Sequence, residues 1–360
     1  MRVALITRST LFTTRGGDTI QLLETNTHLN KSGIHSEIIL AHQKPDYKQY
    51  DLLHFFNITR PADILRHIEK SDTPYVLSPI WIDYTEYDKF HRKGWTASFF
   101  KLFPAEKNEY LKTIARGLAG KDILPGITFL TKGQQKSITA ILKKCSALLT
   151  GSEEEYQVIK NKFGAVQLQR TIPLGIDPLR FKTNETISKE EDLVICVARI
   201  EGIKNQFNLI KALNNSAYRL LLVGAAAPNQ MNYYQACKKI AAGNISFLDH
   251  LPQEELLQYY QKAKVHVLPS WYENCGLASL EAAAMKCNIV STKNGFASSY
   301  FGKDALYCDP ASLSSIYVAV DNAAKKETTS LLAEKISRSY TWQKTATQTI
   351  EVYKSVLHTK

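Results

Sequence analysis

Short β-branched or Leu-rich runs alternate with longer amphipathic stretches along nearly the whole chain. In the first half the runs Val3–Thr7, Ser36–Leu40, Leu52–Phe56, Tyr75–Leu77, Ala147–Thr150 and Arg170–Ile172 read as strands. A second set comprises Leu193–Ala198, Tyr218–Val223, Ile245–Leu248, Val265–Leu268 and Asn288–Ser291. Strands alternating with helical patterns predict βαβ units and a parallel sheet. Between the two sets, Pro173, Gly175 and Pro178 punctuate the end of one unit, and the polar segment Lys182–Asp192 follows. The pattern therefore predicts an α/β chain of two Rossmann-like, doubly wound parallel-sheet domains facing a cleft. The boundaries fall at residues 1–172 and 173–344, with a C-terminal helix at about 345–360 returning to the first domain. Ligands of open α/β sheets bind beyond the carboxyl ends of the strands, which makes that cleft the expected site.

Composition changes the picture only at its edges. The chain has 360 residues, 44% hydrophobic and 22% charged, the balance of a globular protein and not of a disordered one. No apolar run approaches the roughly 18–20 residues of a membrane helix, and the apolar start Val3–Ile6 is too short for a signal peptide. The six cysteines are scattered, with no CxxC pair, which argues against a zinc site or a disulfide framework and for a reducing compartment. A formal charge of +11 admits a nucleic acid, an anionic membrane surface or a polyphosphate ligand, and does not choose among them.

The most informative stretch runs from Pro269 to Met285. It follows the strand Val265–Leu268, turns at Asn274–Gly276 and enters a run of strong helix formers, Leu277–Met285. A helix that starts at a glycine turn offers unpaired N–H groups and a positive dipole end, which suit a diphosphate. Glu273 precedes that start and Glu281 is placed two turns inside it; if the span were helical, eight residues would separate the carboxylates by about 12 Å. One carboxylate would then serve a sugar's hydroxyls and the other a ribose's. By this stretch alone, an ordinary strand–turn–helix with two solvated glutamates fits equally well.

Here the sequence resembles a family. Glu273 and Glu281, in the setting P-S-x-x-E-x-x-G-L-x-x-L-E-A, match the donor-site signature of retaining glycosyltransferases of family 4, which have the GT-B fold. Val197–Asn205 is similar to that family's G-R-x-x-x-x-K-G segment, and Ile172–Asp177 to its P-N-G-[VI]-D connector, with Leu174 where Asn is usual. Gly16-Gly17 in the first βα loop resembles its glycine pair. Several ordered motifs are more specific than any one of them. The resemblance implies a catalytic set of Glu273, Arg199 and Lys204, with the two cations neutralising the donor diphosphate. It further implies donor binding by Gly16, Gly17, Cys275, Gly276, Leu277 and Glu281, the last through the ribose hydroxyls. Asp18 is a candidate sugar or acceptor contact. No metal and no cofactor are expected: Arg199, Lys204 and a helix terminus offset the diphosphate, and the co-substrate is a nucleoside-diphosphate sugar. Cys275 has no histidine partner in the sequence and is read as a small filler, not a nucleophile.

Two segments depart from the family pattern. Where many members carry a histidine near the reacting sugar, Tyr75–Trp81 has Ser78, and His54 reads as a structural residue. Ser299 stands where a Glu is common. Residues 86–144 carry 12 Lys/Arg against five Asp/Glu, interleaved with Phe90, Trp95, Phe99, Phe100 and Phe103. Such a stretch suits an anionic bilayer surface or a lipid-linked acceptor, and equally suits ordinary core aromatics among solvated lysines. No RNA- or DNA-binding motif accompanies it, so no nucleic-acid partner is expected. The resemblance thus implies sugar transfer, with retention, to a glycan or lipid-linked glycan in cell-surface polysaccharide assembly, in the cytoplasm or on the inner face of the membrane. The alternatives are a sugar-nucleotide epimerase and a catalytically silent GT-B protein that binds a glycan or partner.

Overall fold

The computed structural model describes residues 1–91, 105–120, 122–328 and 330–358. Trp95, Phe99, Phe100 and Phe103 lie outside them. By its contacts the chain divides into two units, Met1–Leu174 together with Trp342–Lys360, and Gly175–Thr341.

In the first unit, strands β1 (Arg2–Thr7), β2 (His35–Leu40), β3 (Leu52–Phe56), β4 (Tyr75–Ser78), β5 (Ala147–Thr150) and β6 (Gln169–Thr171) form one parallel sheet in the order β2-β1-β3-β4-β5-β6. In the second, β7 (Glu190–Val197), β8 (Arg219–Val223), β9 (Ile245–Leu248), β10 (Ala263–Leu268), β11 (Asn288–Thr292) and β12 (Leu306–Cys308) are ordered β12-β11-β10-β7-β8-β9, again all parallel. Each sheet is doubly wound, as the alternating pattern predicts. The winding direction reverses once per sheet, between β1 and β3 and between β7 and β10. β3 and β10 are buried at every position, His54 of the one and Lys264 and His266 of the other included, as befits central strands covered on both faces.

Two strand features differ from the sequence expectation. β7 begins at Glu190, three residues ahead of Leu193, because its acidic start finds cations on neighbouring strands. Arg219 holds both Asp192 and Glu190 at 2.7 Å, and Lys264 holds Glu191 at 2.6 Å. β12, which was not anticipated, is three residues long and pairs with β11 at the sheet edge.

The helix Trp342–His358 belongs to the first unit and packs on the helix Gly17–Lys31. Its Ala346, Val352, Tyr353 and Val356 join Val3, Leu5 and Leu52 in one core. Inside that core lies His54, in the middle of β3. Its Nδ1 is 2.6 Å from the Tyr353 hydroxyl, its Nε2 is 2.9 Å from Ser78 Oγ, and its ring stacks on Phe56. Burial pushes the imidazole down to about 3, so it stays neutral, as a structural histidine should. The second unit has its own core, built from Val194, Leu220 and Val265 of the sheet and Leu209, Leu213, Ile316 and Val320 of the flanking helices.

Candidate active site

β7 and β10 are hydrogen-bonded neighbours at the point where the strand order of the second sheet reverses. Loops leaving the carboxyl ends of two such strands diverge to opposite faces and open a crevice, which is where this class of sheet binds ligands. After β7 the chain passes Arg199 and makes a tight turn at Gly202–Lys204. After β10 it passes Ser270 and Glu273 before the helix Leu277–Ala284 begins. One backbone bond and one side-chain amide hold the loops in register. Trp271 N donates to Ile203 O at 2.9 Å, and the buried Asn205 side chain donates to Pro269 O at 3.1 Å and Pro310 O at 2.8 Å. Asn205 sits at φ 60, a left-handed conformation that asparagine tolerates better than most residues.

The result is that Lys204 and Glu273, 69 positions apart, meet. Lys204 Nζ lies 2.7 Å from Glu273 Oε2, and Ser270 Oγ donates to the same oxygen at 2.9 Å. The pair is sheltered but open to a ligand, with 23% and 9% of the two side chains exposed. Among the described residues both of these side-chain donors go to Oε2 and not to Oε1.

The main chain of Glu273 is clamped as well. Its N–H donates to Asn294 O at 3.1 Å, and its carbonyl accepts from Phe296 N at 2.8 Å. Gly295, between those partners, has φ +106, and a Cβ there would come within 2.0 Å of Glu273 O. Gly295→Ala therefore combines a backbone clash with left-handed strain. We expect it to cost roughly 3 kcal/mol or more and to displace Glu273, read as a fall in melting temperature together with lost turnover. Gly164→Ala, at φ +97 with nothing within 4 Å, is the control that carries the strain without the clash. Gly276 has φ +74, and a Cβ there would sit 3.5 Å from Glu273 Cγ and 3.2 Å from Ser279 Oγ.

The other expected residues of the second unit lie on the same two loops and on the helix Leu277–Ala284 that follows β10. Arg199 is 37% exposed and pairs with Glu201 at 2.8 Å, a partner the sequence did not suggest. Gly276 caps the helix Leu277–Ala284, whose first internal bonds run from Ser279 and Leu280 N to Gly276 O. The Leu277 and Ala278 amides thus lie ahead of the hydrogen-bond ladder, at the positive end of the helix. Cys275 is buried, as are the other five cysteines, and all six are free thiols. Glu281 lies about one turn inside the helix, not two, because the helix starts only at Leu277; the straight-helix spacing from Glu273 does not apply. Glu281 is 8% exposed, and its carboxylate accepts from Gln253 Nε2 at 3.0 Å and Tyr260 OH at 3.1 Å.

In the first unit, Gly16 is the N-cap and Gly17 the first residue of the helix that follows β1. The loop before them is organised by Arg8, which donates to Thr10 O at 2.8 Å, Thr14 O at 2.7 Å and Asp18 Oδ2 at 2.6 Å. Asp18 is accordingly engaged by Arg8. Ser299 lies in the short helix Ala297–Phe301. Among the described residues no cluster of three or more His, Cys, Asp or Glu side chains has a metal-binding arrangement. Sequence reasoning passed over Ser270, Asn205, Gly295, Glu201, Gln253 and Tyr260. A signal existed for Gly295, since Asn294-Gly295 directly after a strand is a turn dipeptide, but nothing local marks the others.

The chain is 28% identical over 228 residues to a glycogen synthase of Mycobacterium tuberculosis, an alignment that covers 59% of this chain and 55% of that protein. The chain thus spans about half the length of that curated relative. Among solved structures it superposes on a sucrose-phosphate synthase from Thermosynechococcus elongatus with a TM-score of 0.76, 16% identity and full coverage of both chains. It superposes on Anabaena Alr3699/HepE in complex with UDP with a TM-score of 0.68 and 15% identity, over 99% of this chain and 100% of that one. At such identities the likeness speaks for the fold, which is GT-B. Residues 179–340, nearly all of the second unit and every residue of the Lys204–Glu273 site, match the family of Glycosyl transferases group 1.

Proposed function

We propose that the protein is a glycosyltransferase that moves a sugar from a nucleoside-diphosphate sugar to a hydroxyl acceptor, with retention at the anomeric carbon. The observation that carries this reading is the Lys204–Glu273 pair at the switch between β7 and β10, beside a helix start, in the segment that matches Glycosyl transferases group 1. A departing nucleoside diphosphate gains negative charge as the glycosidic bond breaks. Lys204, Arg199 and the amides at Leu277 and Ala278 are the groups here that offset it. Arg199 provides a planar fork and Lys204 a compact point charge, so neither replaces the other at equal cost. Glu273 Oε1 accepts a hydroxyl of the transferred sugar. Incoming diphosphate competes with Glu273 for Lys204 and with Glu201 for Arg199, so the cations are held in place before the donor arrives. The UDP complex of the Anabaena neighbour favours trying uridine donors first.

On the acceptor side we infer a glycan or lipid-linked glycan of cell-surface polysaccharide assembly, met at the cytoplasmic face of a membrane. The described part of the basic segment supports surface contact. Phe90 is 69% exposed, and the helix Ile127–Lys144 begins with Ile127 80% exposed and carries exposed Lys132 and Lys136. No helix among the described residues is long and apolar enough to cross a membrane.

The test is incubation with UDP-, GDP-, ADP- and TDP-sugars, following nucleotide release and the anomeric configuration of the product by NMR. Retention is expected, with turnover unchanged by a chelator. Isomerised donor without release would indicate an epimerase, and no binding or turnover of any donor would sink the transferase reading.

A further inference from the structure

Glu281 is gripped from the side by the neighbouring helix Gln253–Lys262. Gln253 Nε2 donates to Oε1 and Tyr260 OH to Oε2, so each carboxylate oxygen has its own donor. Gln253 and Tyr260 are seven residues apart, two turns along one helix face. With a donor on each oxygen, rotation of the carboxylate about its terminal bond breaks both contacts. Tyr260 is fully buried, and burial together with Glu281 pushes its hydroxyl well above the usual tyrosine value, so the proton it donates is always present. The Gln253 amide is itself oriented. The exposed Arg180 guanidinium contacts its Oε1, and a guanidinium has only donors, so the amide NH2 must face Glu281. Below, the Tyr260 ring meets His266 edge-on at 6.1 Å, and His266 Nδ1 lies 3.3 Å from Ser279 Oγ in the first turn of the helix that carries Glu281.

We propose that Gln253 and Tyr260 are positioning residues that fix the plane of the Glu281 carboxylate so that it accepts both ribose hydroxyls of a nucleoside diphosphate, with Arg180 setting the Gln253 amide. The inference rests on the donor-site reading above. Two vicinal hydroxyls present two donors a fixed distance apart, and a carboxylate matches them only when its plane is held. Gln253 and Tyr260 therefore determine selectivity for ribose more than overall affinity.

The experiment measures, by titration calorimetry, the affinity of UDP, GDP and ADP and of their 2′,3′-dideoxy forms for the wild-type chain and for Tyr260→Phe, Gln253→Ala and Arg180→Ala. The wild type is expected to prefer one ribonucleotide over its dideoxy form by about tenfold or more, the scale of a hydrogen bond to a charged group. Tyr260→Phe and Gln253→Ala lower that preference about threefold or more while affinity for the dideoxy form stays put, and Arg180→Ala lowers it in the same direction through its contact with Gln253. A preference unchanged in Tyr260→Phe and Gln253→Ala overturns the proposal, and so does a wild type that binds both forms equally. A wild type that binds none of the three diphosphates overturns the donor-site reading, and this one with it. Tyr260→Phe keeps the buried ring and Gln253 is only half-buried, so both variants should fold, which melting curves confirm.

Discussion

Alanine in place of Lys204 should lower kcat/KM for the sugar nucleotide about a hundred- to a thousandfold, the usual effect of removing one group aimed at developing charge. The ammonium of Lys204 pairs with Glu273, and the pair is partly open to solvent, so the accompanying loss of stability should stay below about 2 kcal/mol. Glu273→Gln tests the other half of the pair. It preserves the shape and the Ser270 hydrogen bond but gives up the charge, and should lower turnover about a hundredfold. Because each change strips one partner of a contact, the double variant should cost less than the sum of the two, and that shortfall is measurable as a double-mutant cycle. A Lys204→Ala protein that retains more than about a tenth of the wild-type kcat/KM would sink the assignment.

The second large effect is on stability in acid. Burial holds His54 and His266 at about 3 and His67 at about 4, where an unfolded chain would have histidines near 6.5. For His67 the carbonyl of Ala41 works against burial, and Arg66 and Lys70 reinforce it. As pH falls below about 6.5, the unfolded chain takes up protons that the folded one refuses, so stability declines by about 1.4 kcal/mol per histidine per pH unit until the folded values are reached. Asp63, raised by burial, acts in the opposite direction and trims the slope. Calorimetric melting between pH 7 and pH 4.5 should show a steep fall, with His54 and His67 reporting on the first unit and His266 on the second. A melting temperature flat across that interval would contradict the burial of all three.

Sheet class and most strand positions were legible in the sequence because they depend on local runs of apolar residues. Leu52–Phe56 is found where the pattern puts it, although it contains a histidine, since four large apolar neighbours outweigh one imidazole that finds two partners inside the core. What was not legible depends on partners far along the chain. Nothing near Glu190, Glu191 and Asp192 says that they continue a strand; Arg219 and Lys264 decide it, and they lie on other strands. β12 is three residues at an edge, too short to carry a pattern of its own. The site divides in the same way. Arg199, Lys204, Glu273 and Glu281 could be picked out from motif spacing, but not who holds whom. The pairing of Lys204 with Glu273 and of Arg199 with Glu201 follows from where the loops after β7 and β10 leave the sheet. The grip of Gln253 and Tyr260 on Glu281 follows from helix packing that no local pattern encodes.

The return of the helix Trp342–His358 to the first unit has a consequence for the order in which the protein is made. A ribosome delivers the first 174 residues long before Val352, Tyr353 and Val356, yet those side chains complete the core around Val3, Leu5 and Leu52. The intervening residues Gly175–Thr341 have their own sheet and core, and their ends are tied together by the Ile176–Thr341 bridge. Their core draws on no residue outside that span, whereas the core of Met1–Leu174 is incomplete, and His54 lacks the Tyr353 hydroxyl, until the helix Trp342–His358 has been made. A chain cut before Trp342 therefore opens the core of the first unit while removing no strand of the second sheet.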